Sequence, residues 1–191
     1  MRHQGALDQC ASGPDLEVDV KVLVAVASKH AGTAEIAARI GAVLTNHGHD
    51  VHVADAHDVH AVEDVDAVIL GSGVYYGHWL PEAVQFVDRF GAALRTRPVW
   101  LFSSGPSGDP PKPEPSASVN VGALVERTGA RSHQVFSGRI DRHQLGLGEK
   151  VILKAVRAPE GDFRDWVDVE RWAGAVAAEL DLVAQSVTGS R

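Results

Sequence analysis

With a single cysteine, Cys10, among 191 residues, the chain cannot close an intramolecular disulfide, so its stability has to come from a buried core. It has no apolar run near the roughly 20 residues that a membrane-spanning helix needs. Met1–Asp19 is polar, carries Gly5, Gly13 and Pro14, and has no hydrophobic signal-peptide core. It is expected to be a flexible arm, and the cytoplasm is the expected location. A basic stripe is also missing: 18 Lys and Arg stand against 25 Asp and Glu, a formal net charge of −7. Nucleic acid demands clustered cations, so that class of partner is set aside.

What is present is an apolar content of 45%, enough for a substantial core in one domain, set at residues 20–183 with a tail at 184–191. Lys21–Ala27 is a continuous β-branched run, as expected of a strand buried on both faces. Ile36, Ile40, Val43 and Leu44 follow at helical spacing, and Gly48 is placed to stop that helix. Asp50–Ala54 alternates and reads as a strand near a sheet edge. Asp66–Gly71, Pro98–Ser103 and Gln134–Ile140 complete five strands. Leu80–Leu94, Val121–Thr128 and Asp168–Val183 read as helices. About five helices are expected in all. Strands separated by helices imply parallel βαβ units, because a crossover must return the chain to the same end of the sheet. The fold expected is α/β: a three-layer, doubly wound, five-stranded parallel sheet. In such sheets ligands bind at the carboxyl ends of the strands, near the switch point. Three loops then become candidates.

The first joins a buried strand to a helix N-terminus and contains Ser28, Lys29, His30, Ala31, Gly32 and Thr33. Free backbone N–H groups and the helix dipole suit that place to a phosphate. Ser28 and Thr33 add hydroxyls, and Gly32 permits close approach. A plain capped turn would have the same composition. The loop is neither GxGxxG nor Walker A, which disfavours dinucleotides and nucleoside triphosphates. The second runs through Ser72, Gly73, Val74, Tyr75, Tyr76 and Gly77 to His78 and Trp79, and gathers both tyrosines of the chain. Its aromatic residues suit stacking on a flat ring, or core packing under the loop. The third, from Ser103, Ser104 and Gly105 past Gly108, offers small residues and backbone donors for the polar edge of a heterocycle. Phosphate site, aromatic wall and polar wall describe a mononucleotide with a planar ring.

That order of loops resembles flavodoxins, with Ala31 where their phosphate motif often has glycine and Lys29-His30 bulkier than usual. Over residues 21–180 the chain more closely resembles the menaquinone-dependent protoporphyrinogen IX dehydrogenases, a flavodoxin-like family. The segments that carry the likeness are Tyr76-Gly77-His78, Phe102-Ser103, Val135-Phe136-Ser137-Gly138 and Gly161-Asp162-Phe163-Arg164-Asp165-Trp166. The resemblance implies non-covalent FMN held by the three loops. It implies an oxidoreductase taking protoporphyrinogen IX or a related substrate, with a quinone acceptor and a place in heme biosynthesis.

Residues 141–166 form an insertion before the last helix, too long for a plain loop. Leu145, Leu147, Val151, Ile152, Leu153 and Val156 are apolar, while Arg142, Lys150, Lys154 and Arg157 are cationic. The pattern suits an amphipathic helix, either packed on the domain or lying on a membrane surface or a greasy substrate. The second option would place the protein peripherally at the inner face of the cell membrane. The resemblance associates this segment with substrate or quinone use.

No nucleophile or acid–base pair stands out as catalytic; His78 is the one group near the loops able to shuttle a proton. His47, His49, His52, His57 and His60 cluster in sequence, and His57 and His60 could share a helical face. Without cysteines or further ligands they read as solvated histidines, and no metal is expected. Two other functions remain open. One is a flavodoxin-type electron carrier docking to redox partner proteins; the other is a module of this fold that has lost its cofactor.

Overall fold

The computed structural model describes residues 19–75, 77–105, 121–140 and 160–188. Tyr76, Gly108, residues 1–18 of the expected arm and residues 141–159 of the insertion lie outside the described residues. The elements are β1 (Lys21–Ala27), α1 (Gly32–Asn46), β2 (Asp50–Asp55), β3 (Ala67–Tyr75), β4 (His78–Trp79), α2 (Pro81–Leu94) and β5 (Val99–Gly105). They continue with α3 (Gly122–Thr128), β6 (Ser132–Ser137), β7 (Arg139–Ile140), β8 (Gly161–Asp162) and α4 (Trp166–Thr188). The main sheet has the order β2-β1-β3-β5-β6, and every neighbouring pair on that path is parallel. The expected doubly wound α/β architecture is therefore present, and Asp50–Asp55 is indeed an edge strand.

Side-chain alternation divides the core into two layers. Val22, Val24 and Val26 of β1 point to one face, where they pack with Ile36, Ile40 and Leu44 of α1 and Val169, Ala173 and Leu180 of α4. Leu23, Ala25 and Ala27 point to the other, against Phe86, Val87 and Leu94 of α2 and Leu124 of α3. Trp100, Phe86 and Phe102 are among the largest fully buried side chains. Each stabilises the fold by about 2–3 kcal/mol through area removed from water. Edge strand β2 is less covered than the central strands: Val51 packs half-buried on the α1 side and Ala54 on the α2 side, while Val53 is exposed.

Four features differ from the sequence expectation. First, β3 continues through Gly71 to Tyr75 and turns back into β4, with Tyr75 paired to His78 and Val74 to Trp79. The glycine-rich stretch is thus a strand end and a tight hairpin rather than an open loop. Second, Gln134–Ile140 is interrupted at Gly138. A Cβ there would lie 2.8 Å from the Gly105 carbonyl oxygen, so β6 and β7 are separate strands around a close backbone approach.

Third, residues 56–66 cross from β2 to β3 without a helix, and the described residues contain four helices. His57 and His60 therefore share no helical face. The carbonyls that a helix would satisfy internally are taken by arginines: Arg89 bonds Ala56 O at 2.9 Å, and Arg97 bonds Val65 O at 2.8 Å and also Val62 O. Ala56, Val59 and Val62 plug the α2-side core in place of a helix face.

Fourth, the last helix begins at Trp166 and runs to Thr188, so residues 184–188 are helical rather than tail. Asp165 Oδ1 accepts the amides of Val167 and Asp168 at 3.0 and 3.1 Å, which caps its start. Ala184 is still core, which keeps the helix going past Val183.

Candidate functional site

The chain leaves β1 toward β2 on one side and later enters β3 on the other. That reversal puts a switch point between the carboxyl ends of β1 and β3. The turn after β1 enters α1 through Ala31, which has φ 58° and ψ −23°. It is the one non-glycine residue with positive φ among the described residues. An alanine there is strained by about 1 kcal/mol, and the turn holds it in place. Gly32 N donates to His30 O at 2.7 Å, and Ser28 Oγ accepts from Ala34 N at 3.3 Å. Ala31, at the cap position, makes no side-chain hydrogen bond to the first turn, and Ser28 is the residue that reaches it. The N-terminal amides of α1 and the positive end of its dipole face the strand ends.

β3 brings its last residues against this turn. A Cβ on Gly73 would meet Thr33 Oγ1 at 3.2 Å and Tyr75 Cε2 at 3.0 Å, so a side chain at 73 would fill the space between them. The His30 ring stands edge-on to Tyr75 with centroids 6.1 Å apart, and Lys29 Nζ lies 5.7 Å from the Tyr75 centroid. The structure thus brings together Lys29, His30, Thr33, Gly73 and Tyr75. Val74 packs partly buried next to Gly105 of β5. Gly77 takes φ 79° in the hairpin turn, and His78 is exposed on β4.

The serines behave differently. Ser72 is fully buried; its hydroxyl donates to Gly73 O and accepts from Leu80 N, both at 2.9 Å. Trp79 turns inward and is core, and its indole N–H donates to Ser103 Oγ at 2.8 Å. Ser103 Oγ lies 2.8 Å from His133 Nε2. Burial pushes the His133 pKa below its ordinary value, which favours the neutral ring in this hydrogen bond with Ser103. Ser72 and Ser103 therefore spend their hydroxyls on bracing the strand ends, and Ser104 is buried behind them.

Sequence reasoning gave no role to His133 or to the charged cluster beside Gly32. Arg164 forks onto Asp162 at 2.7 and 2.6 Å and reaches Glu35 Oε2 at 2.5 Å. The Asp162 carboxyl is held below its usual pKa by Arg164, and the guanidinium is raised in turn by its bond to Asp162. The segment that carries Arg164 was visible as a motif, but its partner Glu35 lies 129 residues away.

A family profile described as a flavodoxin domain matches residues 23–166. The chain belongs to the flavodoxin domain family. No curated protein matches its sequence. This flavodoxin domain is similar to a flavodoxin from the domain Archaea, with TM-score 0.59 and 15% identity over 85% of this chain and 99% of that one. It is also similar to the flavodoxin of Streptococcus pneumonia TIGR4, with TM-score 0.57 and 18% identity over 84% and 99%. Rubredoxin oxygen:oxidoreductase from Desulfovibrio gigas matches with TM-score 0.56 and 12% identity, over 86% of this chain and 36% of that longer chain. At these identities the likeness establishes the fold.

Proposed function

We propose that this flavodoxin domain binds FMN non-covalently at the carboxyl ends of β1, β3 and β5. The observation that carries the reading is the convergence of the N-terminus of α1, Thr33, side-chain-free Gly73 and the Tyr75 ring at the switch point. The donor set fits the group. Amides of α1 and the Thr33 hydroxyl suit a phosphate, Lys29 adds positive charge, and Tyr75 offers an apolar ring face. Ser28, His30, Ala31 and Gly32 would shape the phosphate turn, Val74 and Gly77 the ring-side wall and Gly105 the polar wall, with buried Ser72 and Ser103 bracing those strand ends; Tyr76 and Gly108, expected to join them, lie outside the described residues. FMN, when bound, supplies hydride or single-electron chemistry. The chain's own residues bind it, orient it and keep water from it. His78, exposed on β4, is the group placed to exchange a proton with solvent.

The finer reading is an oxidoreductase acting on protoporphyrinogen IX or a related substrate, with a quinone acceptor. Its support is the base of the insertion. β7 and β8 pair antiparallel, Arg139 to Asp162 and Ile140 to Gly161, and Gly32 lies 3.7 Å from Arg139 measured from an ideal Cβ. The chain thus leaves for residues 141–159 and returns right beside the phosphate turn. A membrane or an apolar, anionic substrate suits the composition of that segment. The competing reading is a flavodoxin-type carrier that docks to a redox partner protein, and the match to the flavodoxin domain profile supports it.

The test is to purify the chain, record its visible spectrum, release the cofactor by heat and weigh it. FMN is expected; FAD, or no uptake after reconstitution with FMN, overturns the reading. Turnover of protoporphyrinogen IX with menaquinone separates the enzyme from the carrier.

A further inference from the structure

Resting on the FMN reading, we propose that Arg164 is a positioning residue for the phosphate end of the site, acting by neutralising Glu35 and fixing the Gly32 carbonyl. Glu35 lies in the first turn of α1, where a carboxylate suits the helix dipole but repels a phosphate. Two cations answer it. Arg164 Nη1 bonds Glu35 Oε2 at 2.5 Å, and Arg139 Nη1 lies 3.6 Å from Glu35 Oε1. The same Arg164 nitrogen bonds the Gly32 carbonyl oxygen at 3.3 Å, which pins the peptide at the entry to α1.

Arg164 is not a mobile surface cation. Its side chain is only 4% exposed, while Glu35 is 44% exposed. The guanidinium lies 4.5 Å from the centre of the Trp166 ring, and its remaining edge is forked onto Asp162 in β8. The fork and the stacked ring fix its direction, as a planar guanidinium allows and an ammonium does not. Asp162 and Trp166 therefore hold the cation, and the cation holds the phosphate turn. The strand pair at the base of the insertion is built into the cofactor site through one side chain.

A brace that only stabilises the fold would affect all ligands alike. Charge neutralisation at Glu35 affects only a ligand that carries phosphate. The full-length chain, stripped of flavin, is titrated with FMN and with riboflavin, which has the same ring and no phosphate. Arg164→Gln is expected to weaken FMN about fivefold or more, the size of a helix-terminus charge effect, with riboflavin affinity unchanged. Glu35→Gln in the Arg164→Gln background is expected to restore FMN binding. Glu35→Gln alone, at an exposed position, is expected to tighten FMN relative to riboflavin, and it decides the matter if Arg164→Gln does not fold. Equal loss of both flavins in Arg164→Gln, or an unchanged FMN-to-riboflavin ratio in Glu35→Gln, overturns the proposal while leaving the FMN reading standing. A wild-type chain that binds neither flavin overturns both.

Discussion

At the scale of single residues, the turn between β1 and α1 is where small changes carry the most information. Ala31 holds a left-handed conformation that glycine adopts without strain. Ala31→Gly is therefore expected to stabilise the flavin-free chain by up to about 1 kcal/mol, because relief of strain exceeds the added freedom of the unfolded chain. A thermal melt checks it, and a lower midpoint would show that the turn itself is unstrained. Thr33 is buried between the turn and Gly73, so Thr33→Val keeps its shape and removes only the hydroxyl. FMN binding is expected to weaken by about 1–3 kcal/mol with little change in the melt of the flavin-free chain. Titration and melting together distinguish a phosphate ligand from a helix cap.

At the scale of elements, glycines in the strands serve packing as much as ligand access. An ideal Cβ on Gly71 would lie 2.0–2.6 Å from three atoms of the Phe102 ring, and that ring is fully buried. Phe102 in turn packs on Phe136 and Trp172, so it has no room to retreat. Gly71→Ala is expected to destabilise the domain by about 3 kcal/mol, at the upper end for overpacking a core. Chemical denaturation measures it, and a cost below about 1 kcal/mol would mean that the β3–β5 layer adapts more freely. The same contact explains why the last residue of the expected strand Asp66–Gly71 has no side chain.

At the scale of the whole molecule, His133 ties stability to pH. Its pKa is depressed in the folded state by burial. The unfolded chain therefore takes up a proton first as pH falls. The stability that His133 provides is complete above its ordinary value, about 6.5, and is lost as pH drops through the folded-state value. Asp162, held low by Arg164, adds a second loss of the same sign below the usual Asp range, near pH 4. Stability is expected to fall with pH from about 6.5 downward, and His133→Asn to flatten the upper part of that profile. Equilibrium unfolding at a series of pH values checks it; an unaltered slope in the variant would assign the effect to other groups.

The sequence by itself determined the layers and pointed to the strand ends where the proposed site lies. A period of two in β2, apolar runs containing Val and Ile in β1 and β3, and helical spacing from Ile36 to Leu44 are local signals, and they sufficed for a parallel α/β sheet. The turn from Ser28 to Thr33 announced a helix start for the same reason, since its residue types act on their own backbone. Only the tertiary structure decided which of those residues are occupied elsewhere. Ser103 meets Trp79 and His133 across strands, Gly71 yields to Phe102, and Glu35 is answered by Arg164 from the far end of the chain. Such partners are chosen by strand order and register, which depend on contacts between distant segments, and no local pattern of residues encodes them.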